Sequence, residues 1–333
     1  MATSWRVGTG LGYSLAHPSG RARESGVAID DPDLSTRRPA IPPSSTIANL
    51  SFSRVAALTF LLAAGLVLPA CGSGGGGSGG QAERVEIEVS GEAKSVELKA
   101  PQKIKGGLVQ MNLKNSSKGP RDAEIIRIEG DQSAQDVLKV IESQGGPIPD
   151  WLQDGGGVGE TAPGKTGKVT QNVAEGRYVL VSAPSEDGEP ATAELQVEGG
   201  SEGELPKTSA EIVATEYSFA SKGLKPGKNA VLFKNAGQEL HHVVAAPLLP
   251  GKTLDDVKKF VSEEGEEGGG PPPGPPPIDF ENGFTTAVID GGIEQVTDLE
   301  LKKGKYAMIC FIQDRTGGPP HVMKGMIAEA EVQ

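Results

Sequence analysis

The chain has 333 residues, with 44 acidic against 32 basic side chains and a formal net charge of -12. That balance excludes a nucleic-acid partner, because a phosphate-binding surface needs clustered Lys and Arg. Forty-seven glycines, 25 prolines and only two Trp, four Tyr and eight Phe argue against a helical bundle and for a loop-rich β protein. Two cysteines are too few for a disulfide framework.

Residues 1–50 mix Arg, Ser, Pro and Gly with no apolar period and read as disordered. Arg54 is then followed by the apolar run Val55–Ala70. The run falls short of the ~20 residues that a bilayer span needs, and its positive flank and small residues describe an export signal. Its end, Leu68-Pro69-Ala70-Cys71, resembles the lipobox of bacterial lipoproteins, with Pro69 departing from the small residue usual there. The resemblance implies that Cys71 is the lipidated first residue of a mature chain on the extracytoplasmic face of the cell membrane. The Gly/Ser stretch that follows is a flexible tether, 71–82. An exterior this acidic does not bind anionic lipid by charge, so the lipid itself is the expected anchor. The leader ahead of Arg54 is long for a signal, which places the expected start of translation near Leu50.

Beyond the tether the sequence repeats. Residues 107–141 and 229–261 each contain a strand ending in Lys-Asn (Lys114-Asn115, Lys234-Asn235), a polar turn, an apolar strand and a short helix. Ser133-Ala-Gln-Asp136 and Thr253-Leu-Asp-Asp256 are both Ser/Thr caps with an acid three residues on. Val137, Val140 and Ile141 line one face of the first helix; Leu254, Val257 and Val261 line one face of the second. Later, Gly176-Arg-Tyr-Val-Leu-Val-Ser182 parallels Gly304-Lys-Tyr-Ala-Met-Ile-Cys310, and 191–197 parallels 326–332 as a closing strand. The spacing predicts an all-β chain with two copies of a Greek-key β-sandwich or barrel, each with one short helix. The expected organisation is a leader and signal over 1–70, domains over 83–199 and 209–333, and a linker over 200–208. The second copy carries an insertion, Glu263–Pro277, whose prolines suit a stiff exposed loop.

Chemistry-bearing residues are confined to the second copy. Of four histidines, His17 lies in the leader, while His241, His242 and His321 share the second copy with Cys310, Met323 and Met326. At the corresponding places the first copy has Arg121-Asp122 and Ser182. Strand parity puts Tyr306, Met308 and Cys310 on one face and Ala307, Ile309 and Phe311 on the other. His241 and His242 point opposite ways, so one of them alone serves as a ligand; His242 reads as an exposed turn residue, and Met308 and Met323 as packing residues.

The order His, Cys, His, Met resembles the cupredoxin family of blue copper proteins. Asn235-Ala-Gly-Gln-Glu-Leu-His241-His242-Val-Val is similar to the plastocyanin-type turn, and His321-Val-Met-Lys-Gly-Met326 to the matching stretch of copper nitrite reductases. The ten residues between Cys310 and His321 depart from the shorter gap of most small members. The resemblance implies two tandem cupredoxin-like Greek-key β-sandwich domains, the first without metal. In the second it implies one type 1 copper held by His241, Cys310, His321 and axial Met326, with Met323 as the fallback. Copper that cycles between +1 and +2 wants one thiolate, two neutral imidazoles and a long thioether. One of the two imidazoles is expected near the surface as the exit for the electron.

The functional expectation is a membrane-tethered electron carrier that serves a redox partner the sequence does not identify. A metal-free envelope module and a copper store are the alternatives. Catalysis is not expected: there is no HExxH, no nucleophile triad and no phosphate-binding glycine loop. The histidines needed for the second copper of a nitrite reductase are also missing.

Overall fold

Alternation of apolar and polar residues sets most of the strands. In Glu83–Glu92, Val85, Ile87 and Val89 are buried while the intervening Glu and Ser side chains face outward. The computed structural model describes residues 81–92, 95–143, 146–183, 190–264 and 275–333. The leader, Cys71 and the proline-rich stretch 265–274 lie outside the described residues.

The first half contains β1 (Glu83–Glu92), β2 (Ser95–Lys99), β3 (Lys103–Lys105), β4 (Gly107–Ser117), β5 (Arg121–Ile128), β6 (Leu152–Thr161), β7 (Thr166–Val173), β8 (Gly176–Ser182) and β9 (Ala191–Glu198). Its helix α1 (Ala134–Glu142) follows β5. The second half contains β10 (Ala210–Thr215), β11 (Ser218–Lys222), β12 (Gly227–Asn235), β13 (Val244–Pro247), β14 (Phe284–Thr285), β15 (Glu294–Leu301), β16 (Gly304–Ile309) and β17 (Ile327–Val332), with α2 (Leu254–Glu264) after β13. Among the described residues no helix is long and apolar enough to cross a membrane.

Each half is a two-layer sandwich, and the strand orders correspond. One layer runs β2-β1-β4-β7 in the first half and β11-β10-β12-β15 in the second. The facing layers run β6-β5-β8-β9-β3 and β14-β13-β16-β17. The expected all-β class with one short helix per repeat is therefore observed. The pairing is not wholly antiparallel: β1–β4, β10–β12 and β3–β9 are parallel. In the first of these, β2 already occupies one edge of β1, and the chain crosses to the opposite layer as β3 before it returns as β4.

The two halves belong to one compact unit. The edge strands β7 and β15 pair antiparallel, with Gln171 opposite Gln295, so the two four-stranded layers become one eight-stranded sheet. Pairing covers two edges that would otherwise expose unsatisfied backbone groups. The acidic connection between the halves is held as well, because Asn172 exchanges two side-chain hydrogen bonds of 2.9 Å with the backbone of Gly203.

Both helices are capped as expected. Ser133 and Asp136 form a reciprocal box, and the Thr253 N–H donates to Asp256 at 2.8 Å while the Asp256 N–H donates to Thr253 Oγ1 at 3.3 Å. Val137, Val140 and Ile141 pack beneath α1 against β5 and β8, and Leu254, Val257 and Val261 do the same beneath α2 against β16. The parity along β16 is also observed. Tyr306, Met308 and Cys310 enter the inter-layer core, whereas Ala307 and Ile309 pack under α2.

A close approach fixes how β6 of the first half meets β14 of the second. A Cβ on Gly159 would lie 1.9 Å from the Thr285 carbonyl oxygen. Gly159→Ala is expected to push the two strands apart and cost about 1–3 kcal/mol, read as a lowered urea midpoint; an unchanged midpoint would show that this contact does not bind the halves.

Candidate metal centre

The turn that delivers the first histidine is built around Asn235. Its buried side chain donates to the carbonyls of Glu239 (2.7 Å) and Ile289 (2.9 Å) and accepts from the Gly237 N–H (2.9 Å). His241 is then locked to Ile289 by two backbone hydrogen bonds of 3.1 and 2.9 Å. The first half repeats the device: Asn115 donates to the carbonyls of Gly119 and Thr161 and accepts from the Ser117 N–H.

Cys310 follows the end of β16. Its N–H donates to the Met326 carbonyl at 3.3 Å and its own carbonyl accepts from Val322 at 2.8 Å. His321 opens a short 3-10 turn, His321–Lys324, anchored by its N–H to the Ile312 carbonyl at 2.7 Å. These bonds fold the long Cys–His segment back so that both ends meet.

The structure brings three of the sequence-predicted residues to one point. Cys310 Sγ lies 3.9 Å from His241 Nδ1 and 3.6 Å from His321 Nδ1, and the two Nδ1 atoms are 3.2 Å apart. All three side chains are fully buried. Met326 is buried in the same cluster as Cys310. Met323 is the one large apolar side chain that is exposed among the described residues, at 44%.

Two expectations are corrected. His242 is not an exposed turn residue: it is fully buried, and its Nε2 accepts the Phe311 N–H at 3.0 Å. Its ring faces away from the cluster and meets Phe311 edge-on. Asp122 in the first half does the same work, accepting the Ala183 N–H at 2.8 Å. The second correction concerns Met323, whose exposure is not that of the packing residue expected. Neither His241 nor His321 is itself exposed, but His241 Nε2 lies 3.8 Å from Oε1 of the exposed Glu216. The polar outlet is Asp314, whose Oδ1 lies 3.0 Å from His321 Nε2.

Asp314 was not singled out from the sequence, although a carboxylate four residues past the cysteine, inside the ligand loop, was the available signal. A ligating histidine commonly donates its second N–H to a carboxylate, which fixes the tautomer and the ring orientation. With Nε2–H given to Asp314, the Nδ1 lone pair of His321 faces Cys310. Tyr217 donates to Asp314 Oδ1 at 2.9 Å and Lys324 pairs with the other oxygen, so the carboxylate is itself held. These donors keep its pKa below the usual range against the opposing effect of burial. On His241, Nε2 has no hydrogen-bond partner, and Glu216 Oε1 stands 3.8 Å away.

Burial also sets the protonation of the donors. It pushes His241 down to about 4, helped by the neighbouring His321, and lowers His321 as well. Burial pushes the Cys310 thiol up to about 12. At neutral pH the centre thus holds two neutral imidazoles and a thiol. With His321 Nδ1 free to accept, a proton on His241 Nδ1 joins the two rings at 3.2 Å, and a cation bound there would take the place of that proton.

The donor set fits copper. One sulfur and two imidazole nitrogens lie 3.2, 3.6 and 3.9 Å apart, with Met326 in the same buried cluster, and this is the donor set that would hold a His2Cys copper ion. In the first half the equivalent positions hold Arg121, buried with Nη1 on the Ala183 carbonyl at 3.0 Å, and the buried Ser182. Those groups cannot replace the soft donor set.

No protein-family model and no curated protein matches the chain. Solved structures to which it is similar include a reduced auracyanin from Roseiflexus castenholzii, at 18% identity over 36% of this chain and 99% of that one, with a TM-score of 0.24. A second is auracyanin A, a "blue" copper protein from Chloroflexus aurantiacus, at 21% identity over 34% and 99%, TM-score 0.23. A third is the copper nitrite reductase of Nitrosomonas europaea, at 14% identity over 76% and 94%, TM-score 0.21. At such scores the likeness adds nothing to the ligand assignment, which rests on the side chains described above.

The buried carboxyl of Asp122 provides a pH test of the first half. Burial raises it to about 7, against about 3.9 for an unfolded Asp. The folded state then holds this proton more tightly, so its contribution is full below pH ~4 and is lost as pH rises to about 7. Asp122→Asn keeps the acceptor for Ala183. It should unfold at higher urea than the parent at pH 8 and at nearly the same urea at pH 4; an equal difference at both pH values would contradict the assignment.

Proposed function

We propose that this protein is a type 1 copper electron-transfer protein, tethered outside the cytoplasmic membrane by lipid on Cys71. The observation that carries the copper reading is the convergence of Cys310 Sγ with the Nδ1 atoms of His241 and His321 in a fully buried space. The tether rests on the Leu68–Cys71 motif and the Gly/Ser stretch behind it. We take the halves as two domains, 83–199 and 209–333, of which the second bears the metal. The redox partner is not a nucleic acid, given the acidic exterior.

Copper bound by His241, Cys310, His321 and Met326 supplies one-electron chemistry at an outer-sphere site. The protein's own contribution is rigidity and exclusion of water. Asn235 fixes the approach of His241, β16 fixes Cys310, and Asp314 fixes the ring of His321. Because every donor is buried and carried on hydrogen-bonded backbone, little has to move when charge changes. A hydrogen-bonded path leads from His321 through Asp314 to Tyr217 and Lys324, all three half-buried.

Copper added to the purified chain should give an intense visible thiolate-to-copper band at one copper per chain, and Cys310→Ser should abolish it. A colourless chain that retains no copper by elemental analysis would refute the reading.

The protonation states predict a second signature. The imidazoles are already neutral, so copper displaces a single proton, that of the Cys310 thiol. Uptake in weakly buffered solution between pH 7 and 8 should release about one proton per copper, and apparent affinity should rise about tenfold per pH unit. Release of two or more, or none, would contradict the assigned donors.

A further inference from the structure

The ten-residue loop between Cys310 and His321 leaves its own sandwich and docks on the metal-free half. The Gln313 side-chain amide donates to the Gly146 carbonyl. Two residues on, the Arg315 carbonyl accepts the Ile148 N–H at 2.7 Å, and Arg315 Nη1 donates to the Leu152 carbonyl at 3.1 Å. Arg315 Nη2 also meets Asp290 Oδ1 at 2.6 Å, while Asp290 Oδ2 accepts the Asp154 N–H of the first half at 2.8 Å. Between these two anchored residues stands Asp314, the carboxylate on His321 Nε2. Beneath the loop, Ile141 and Ile148 of the first half pack against both its own helix-side cluster and the core that contains Cys310 and Met326.

We infer that the first half is a positioning clamp for the ligand loop: by holding residues 313 and 315 it sets where Asp314, and through it His321, stands. The inference rests on the copper reading for its consequence but not for its geometry. It explains two features together. The loop is long because it must reach across to the segment 146–152. The first half persists without ligands because its contribution is a surface of carbonyls and an N–H that the loop requires. Arg315 and Ile148 are positioning residues and touch no donor atom.

The test compares Arg315→Ala and Ile148→Ala with the parent in the full chain. Amide hydrogen exchange is followed by mass spectrometry in the copper-free state. Arg315→Ala should exchange roughly tenfold faster over residues 311–320, the scale expected for losing a charge-assisted anchor. Ile148→Ala, which keeps its N–H on the Arg315 carbonyl and loses only packing, should exchange faster there by a smaller factor, while β16 and β17 keep the parent's rates. In the copper-loaded chain Arg315→Ala should surrender copper to a chelator roughly tenfold faster and shift the visible band, with Ile148→Ala changed in the same direction. Unchanged exchange over 311–320 in both variants would overturn the clamp. So would equal acceleration across the whole second half, which is the mark of general destabilisation. If the parent binds no copper, the exchange data still decide the clamp, and the copper reading fails by itself.

Discussion

Two imidazole nitrogens 3.2 Å apart, with a thiol sulfur 3.6 and 3.9 Å away, are gathered in one fully buried space. Burial opposes both protonating a ring and ionising the thiol, so the three groups stand there as neutral donors. A cation that accepts two nitrogen lone pairs and a thiolate would take the place of the protons they share. The polypeptide around this point keeps the donors together. The Asn235 turn, the double bridge to Ile289, the fold-back of 310–312 onto 321–326 and the carboxylate of Asp314 each restrict one donor.

The same scaffold without donors lies alongside. Asn115 and Asn235 make the same three kinds of hydrogen bond, and Asp122 stands in for His242 as the acceptor of the backbone N–H that follows the ligand position. At the positions of His241 and Cys310 the first half has Arg121 and Ser182. Structure and chemistry are thus separable in this fold: the turn geometry exists in both halves, and the soft donors only in the second. Pairing of β7 with β15 then turns two similar sandwiches into one body across which the ligand loop is stretched.

Much of this was legible in the sequence because it depends on local rules. Period-two alternation placed Cys310 with Tyr306 and Met308, and His241 apart from His242. The cap boxes at Ser133 and Thr253 located both helices. The features that were not legible depend on distant parts of the chain. His242 looks like a surface turn residue until Phe311 is brought behind it, and an imidazole serves as an acceptor as readily as a carboxylate. The partners of Asp314 and Arg315 are set by a loop with no regular period, and two of the first-half groups that Arg315 meets are backbone atoms, which leave no mark in residue type. The joining of β7 to β15 is likewise backbone pairing between edges, to which Gln171 and Gln295 give no unique register.

The central claim is that one sulfur and two imidazole nitrogens bind a single copper ion. X-ray absorption at the copper edge of the loaded chain measures that shell directly. The account predicts one short sulfur and two nitrogens in the first shell, with any further sulfur distinctly longer. A first shell of nitrogen and oxygen alone, with no short sulfur, would contradict it.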